Sequence, residues 1–184
     1  MLYSVLSIML SLSLSTAHAG KVKERNWKEH PEIMAIRRLK KRVLDGQKLP
    51  GWSTASENIV WCEENRLSKK SKVVDDKDVI RKYSTEGAHG STAFWTESVY
   101  GPKGTLRWVF VRLFQADSET SEEYKVFFDS EGTQIWSRYK QTPAGESDTD
   151  KLLPEHWFIK DPSATWQTPS QCDQDKPGSS TQPD

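Results

Sequence analysis

Two phrases of this chain are built to one pattern: YGPKGTLRW at 100–108 and FDSEGTQIW at 128–136. Each runs aromatic, three residues, Gly-Thr, two residues, Trp, and the copies begin 28 residues apart. A tight hairpin explains both. Gly101-Pro102-Lys103-Gly104 has Pro second and Gly fourth in a type I turn, and Asp129-Ser130-Glu131-Gly132 has Asp first and Gly fourth. In each, the final Gly can adopt the left-handed backbone that closes a three-residue hairpin loop. Asp129 and Glu131 invite a reading as a metal or acid/base site. The first copy has Gly101 and Lys103 in their places and keeps the turn signal, so the carboxylates are not what the loop is for. Asp129 is expected to accept backbone N–H groups of its own turn.

The turns set a register. With Gly101 opposite Thr105, Tyr100 faces Leu106, Thr96 faces Phe110 and Trp95 faces Val111. One side of that hairpin then collects Tyr100, Leu106, Trp108 and Phe110. The other collects Trp95, Val99, Val109, Val111 and Leu113. In the second hairpin Phe127 falls beside Ile135 and Val126 beside Trp136. Apolar residues on both sides mark central strands covered on both faces. Segments 92–100, 105–114, 122–128 and 133–140 are rich in Val, Thr, Ile and aromatics, which predicts a β-meander. Asn58–Cys62 reads as a short strand or buried turn, ENRLSKKSK at 64–72 as a charged loop, and VVDDKDVIRK at 73–82 equally as helix or strand.

Upstream, PEIMAIRRLKKRVLD begins with Pro31 at the first helical position, carries Glu32 in the first turn and is followed by Gly46. Ile33, Ile36, Leu39 and Val43 recur at three- and four-residue steps and make one apolar stripe. The expected class is therefore α+β, one N-terminal amphipathic helix packed on a four- to five-stranded antiparallel β-meander. The helix covers one face of the sheet, and LLPEHWFI at 152–159 is the candidate cover for the other. If that segment lies elsewhere, the face is open to a partner.

The first nineteen residues hold no Lys, Arg, Asp or Glu and end in Ala17-His18-Ala19, a small-x-small pattern that predicts a cleaved signal peptide. The apolar run falls short of the roughly 20 residues that cross a bilayer, so no transmembrane anchor is expected. The remainder divides into a flexible basic arm at 20–30, a single α+β domain at 31–172 and a disordered tail at 173–184. A periplasmic or extracellular location follows, and in that compartment Cys62 and Cys172 are expected to form a disulfide. Such a bridge would contribute roughly 4–5 kcal/mol in the chain-entropy account.

Charge is segregated along the chain. Residues 20–48 hold ten Lys/Arg against four Asp/Glu, and residues 115–184 hold six against fourteen, although the whole chain is neutral. Attraction between the halves and a basic partner-binding face are both consistent with this. Arg37, Arg38 and Lys41 on the helix, with Trp95, Trp108 and Trp136 among the eight tryptophans, are the candidate partner-binding residues. Aromatic filling of a small core is the competing account of the tryptophans.

No catalytic, cofactor or metal pattern stands out. His30, His89 and His156 sit apart from Cys and from one another, and there is no HExxH, CxxC or Walker motif. His89 and Ser91 in GAHGS are adjacent along the chain, which does not make a triad, and a Gly-rich turn explains them. Asp75, Asp76 and Asp78 lack the Gly and distal Glu of a calcium loop. Nucleic acid is not an expected partner of an exported chain of zero net charge.

The stretch EEYKVFFDSEGTQIWSRY at 122–139, following STEGAHGSTAFWTESVYG at 84–101, resembles small exported bacterial proteins of uncharacterised function. These pair an N-terminal helix with an antiparallel meander whose hairpins repeat an aromatic-Asp-x-x-Gly-x-x-aromatic phrase. In outline the architecture is similar to PepSY-like and β-lactamase-inhibitor-like proteins. The resemblance covers about residues 78–140 and implies a fold, with no functional residues to carry over. The reading that follows is a non-enzymatic exported module binding a protein or envelope component. The alternatives are a cell-envelope enzyme acting on glycan or cell-wall substrates, and binding of anionic lipid or lipopolysaccharide through the basic helix.

Overall fold

A computed structural model of the chain describes residues 22–61, 66–143 and 152–167. Helix α1 spans Pro31–Gly46. Seven strands follow: β1 Ser53–Trp61, β2 Arg66–Val74, β3 Ile80–His89, β4 Thr92–Tyr100, β5 Leu106–Gln115, β6 Thr120–Phe128 and β7 Gln134–Thr142. They form one antiparallel sheet in the order of the chain. The class is α+β with a β-meander as expected, but the sheet has seven strands where four to five were predicted. The added strands come from 53–89, and the charged stretch at 64–72 is strand over most of its length, not loop. Its lysines misled the reading because one is buried. Lys70 is 5% exposed, and its ammonium donates to the Trp166 carbonyl at 2.6 Å and pairs with Glu57 at 3.2 Å.

Three hairpins of the meander, β2–β3, β4–β5 and β6–β7, close with the same loop. Gly101 N–H donates to the Thr105 carbonyl at 2.8 Å and Asp129 N–H to that of Thr133 at 2.9 Å. Asp75 N–H donates to the Val79 carbonyl at 3.0 Å in the same way. The fourth loop residue has positive φ in all three: Asp78 at 59°, Gly104 at 77° and Gly132 at 88°. Asp129 Oδ1 accepts from Glu131 and Thr133 N–H, both at 2.9 Å. Asp75 Oδ1 accepts from Lys77 and Val79 N–H, both at 3.0 Å. The acidic loop is thus a turn, and 73–82 is a third copy of it.

The loops also carry a bulge that shifts the expected register. Tyr100 faces Leu106, but the pairing then skips Arg107, so Val99 faces Trp108 and Thr96 faces Val111 where Phe110 was expected. Trp95 accordingly faces Arg112, not Val111. Phe128 likewise faces Gln134, and Phe127 faces Trp136 instead of Ile135. Val74 faces Ile80 and Val73 faces Lys82. A one-residue bulge sends the residues on either side of it to opposite faces, where plain alternation would put them on the same one. Leu106 and Trp108 therefore belong to opposite faces, and the two sides proposed for that hairpin are corrected accordingly. Two of the bulged residues tie each hairpin to the next. Arg81 Nε donates to the Tyr100 carbonyl at 3.3 Å, and Arg107 Nε to the Phe128 carbonyl at 3.2 Å.

Each face of the sheet has its own core. On the helix side, Ile33, Ile36, Leu39 and Val43 pack with Val99, Trp108, Phe110 and Phe127. Gly46 ends the helix against the Trp52 ring, where an added Cβ would approach to 2.8 Å. On the other side, Tyr83, Tyr100, Val109, Val111, Tyr124, Val126 and Phe128 pack with Leu153, and Trp157, Phe158, Ile159 and Trp166 lie against them. The 152–159 segment is therefore a cover, with the Tyr100 hydroxyl donating to the Ile159 carbonyl at 2.8 Å. In place of a loose arm at 20–30, residues 22–30 put Val22 and Trp27 into the helix-side core. The reason is aromatic: Trp27 stacks on Trp136 with centroids 4.4 Å apart. The expected signal peptide, the Cys62–Cys172 bridge and the tail at 173–184 fall outside the described residues.

Candidate functional site: a basic and aromatic sheet face

Helix α1 lies over the end of the sheet nearest the repeated loops, where Val99, Trp108 and Phe127 face it. Farther along the same face, cross-strand pairing lines up Ser84, Glu97, Phe110, Lys125 and Arg138 in one row. The next row on that face is Glu86, Trp95, Arg112, Glu123 and Lys140. The helix leaves much of this second row open: Trp95 is 38% exposed and the Arg112 side chain 51%.

Glu97 anchors the boundary between covered and open sheet. It is 4% exposed and pairs with Lys40 at 3.3 Å and Lys82 at 3.5 Å. The Lys40 ammonium also sits 3.5 Å from the centroid of the Trp108 ring. Burial pushes the Lys40 pKa down, and the Glu97 carboxylate opposes but does not cancel this. Beyond it, Phe110 is stacked with Trp108 at 6.0 Å and meets the edge of Trp95 at 5.3 Å. Lys125 and Arg112 approach the Phe110 ring at 5.5 and 5.7 Å.

Glu123 is shared between Arg112, whose Nε lies 3.0 Å away, and Lys125 at 3.7 Å. Burial alone would raise its pKa; the Arg112 hydrogen bond and charge, aided by Lys125 and Lys140, hold it below the ordinary carboxylate range. Glu123, Lys125, Arg138 and Lys140 line a cavity of about 240 Å³. A neighbouring cavity of about 360 Å³ is lined by Glu24, Arg25, Trp27, Lys28, Glu29 and again Arg138. This face can hold an anion by charge and a flat apolar surface by stacking. Nothing in the arrangement positions a nucleophile beside a base.

The six residues singled out from sequence do not form one patch. Arg37, Arg38 and Lys41 are exposed on the outer side of α1, with the Arg37 guanidinium 4.8 Å from the Trp27 ring centroid. Trp95 is exposed as a binding role requires. Trp108 is 5% exposed and sealed by Lys40, and Trp136 is part-buried under Trp27, so both serve the core. The sequence reading missed Arg112, Lys125, Arg138 and Lys140. The period-two spacing of Arg138 and Lys140 along β7 was the signal available for placing both on one face.

His89 ends β3 on the surface beside Ser91, and it lines neither of the two cavities. Among the described residues, no group of three or more His, Cys, Asp or Glu is arranged to hold a metal ion, and no helix is long and apolar enough to cross a membrane. No protein-family model, curated protein or solved structure matches the chain.

Proposed function

We propose that this protein is a non-enzymatic exported module, periplasmic or extracellular, that binds a component of the cell envelope or an envelope protein. The observation that supports it is the helix-side face beyond α1. There an exposed Trp95 stands in a field of Arg112, Lys125, Arg138 and Lys140, with Glu123 already shared between two of these cations. Solvent-facing aromatics among cations are a recurrent composition of recognition surfaces. The test is co-sedimentation of the mature chain, residues 20–184, with isolated envelopes. The expected result is retention that Trp95→Ala combined with Arg112→Ser weakens. Absence of the chain from every envelope fraction would refute the reading.

A second reading rests on the outer side of α1, where exposed Met34 and Leu44 accompany Arg37, Arg38 and Lys41. That composition suits a surface of anionic lipid headgroups. Vesicles containing anionic lipid would then retain the chain at low salt and release it at high salt. Retention that ignores salt or is absent would dispose of this reading.

A further inference from the structure

We propose that the ligand of the helix-side face is an acidic polysaccharide, bound across strands β4 to β7; this rests on the reading of that face as the binding surface. The two cavities there adjoin at Arg138, which lines both. Their walls supply Lys125, Arg138 and Lys140 on one side and Arg25 and Lys28 on the other. The carboxylates in them are in the minority, and Glu123 is held by its own cations at 3.0 and 3.7 Å. A net positive trough remains.

Shape decides among anions. A bilayer presents its charges on one plane, and a planar surface meets the rim of a depression before its floor. A single phosphate or carboxylate would occupy one cation pair and leave the rest unused. A linear polymer with a negative group on successive units fits a row of cations. Arg138 and Lys140 are two residues apart on β7, about 6.6 Å by strand geometry, a spacing of the order of one sugar unit. Across the sheet the row of Lys140 runs through Glu123 and Arg112 to Trp95, with Glu86 beyond it, and Trp95 is 38% exposed. Sugar rings present C–H faces that stack on such a surface, and acidic sugars add the charge that the cations require. The rings exposed on this face are Trp95 and, one row farther along β5, Phe114, and a nucleic acid strand, which would ask for several such rings in succession, is the competitor that the oligonucleotide titration tests.

The experiment titrates the mature chain with polygalacturonate, following tryptophan fluorescence and, independently, calorimetric heat. Neutral dextran, a single-stranded oligonucleotide and anionic vesicles are titrated alongside. Polygalacturonate binding that weakens with salt, with no binding of dextran, is expected. The triple variant Lys125→Gln, Arg138→Gln, Lys140→Gln should lose on the order of tenfold in affinity. Lys77→Gln, Lys103→Gln, Lys160→Gln, the same charge removed from exposed positions that line neither cavity, should leave affinity nearly unchanged. Thermal denaturation of both triples checks that they fold. Equal loss in the two triples, or equal affinity for the oligonucleotide, overturns the proposal. So does failure to bind polygalacturonate by a chain that still sediments with envelopes, which spares the broader reading. A chain that does neither removes both.

Discussion

The loop joining β2 to β3 and the loop joining β6 to β7 have the same backbone and very different surroundings. Asp129 caps its turn from a half-exposed position. Asp75 makes the same two backbone contacts but is 6% exposed and also accepts from Arg81 at 2.9 Å. The last loop closes on Gly132, and the first on Asp78 at positive φ. Backbone geometry can thus be conserved between copies while its support moves from glycine to a buried carboxylate. Breaking that carboxylate is the largest perturbation available. Asp75→Ala would remove the acceptor of the Lys77 and Val79 N–H groups and leave the largely buried Arg81 guanidinium without its carboxylate, costing about 3 kcal/mol. Asp129→Ala should cost about 1 kcal/mol, so a comparison of denaturant midpoints should separate the two.

The same contrast predicts a pH dependence. Burial alone would push the Asp75 carboxyl up, but hydrogen bonds from Arg81, Val79 and Lys77 and the Arg81 charge hold it below its usual 3.8. A carboxyl depressed in the fold contributes stability that is complete above its unfolded pKa and is lost as pH falls through its folded one. The stability gap between the native chain and Asp75→Asn should therefore be constant near neutrality and close in acid below pH 3.8. A gap unchanged at the lowest pH that preserves folding would show that the charge on Asp75 does not matter.

Arginines at the bulges test whether the hairpins are coupled in series. Arg81 serves the Tyr100 carbonyl and Asp75, and Arg107 serves the Phe128 carbonyl and, at 3.4 Å, Glu32 on α1. Arg81→Ala should cost about 2 kcal/mol because it leaves a buried carboxylate without its cation. Arg107→Ala should cost about 1 kcal/mol, since Glu32 is 44% exposed and water replaces the partner. Equal costs would mean that the carbonyl contacts dominate and the carboxylates are incidental.

How much of this was legible in the sequence follows the same division. The two copies ending in Gly-Thr announce themselves, because Gly is the residue that takes the positive φ of the fourth position most readily. Pro31 and the stripe from Ile33 to Val43 likewise define α1, and LLPEHWFI was recognisable as a cover from its apolar content. The third copy was opaque: DDKDV has neither Gly nor an aromatic, and its support is Arg81, six residues on across the same hairpin, a contact that turn composition does not encode. The bulge is a one-residue event inside the strand, so extrapolating the register from the turn went wrong at the first step beyond it. For the binding face, Trp95 was identifiable as an aromatic on a strand. Lys125, Arg138 and Lys140 come together only through cross-strand pairing of β6 with β7, and Trp108 and Trp136 were assigned outward because their covers, Lys40 and Trp27, lie far away in sequence.

The smaller perturbations address the fourth loop position. Gly132→Ala should cost about 1.5 kcal/mol, combining positive φ with a Cβ that would sit 3.3 Å from Thr105 Cγ2. Gly104→Ala meets nothing within 4 Å and should cost about 1 kcal/mol from backbone strain alone. The reverse exchange, Asp78→Gly, has the smallest effect and the opposite sign. Asp78 is exposed at φ 59°, so removing its Cβ relieves left-handed strain that Asp tolerates better than most residues. The unfolded chain gains freedom at the same time, which offsets part of the relief. A net gain of about 0.5 kcal/mol is expected, readable as a small rise in denaturant midpoint at constant slope. A loss instead would mean that the Asp78 side chain supports its loop as the Asp75 side chain does, and that the first hairpin uses two carboxylates where the others use one glycine.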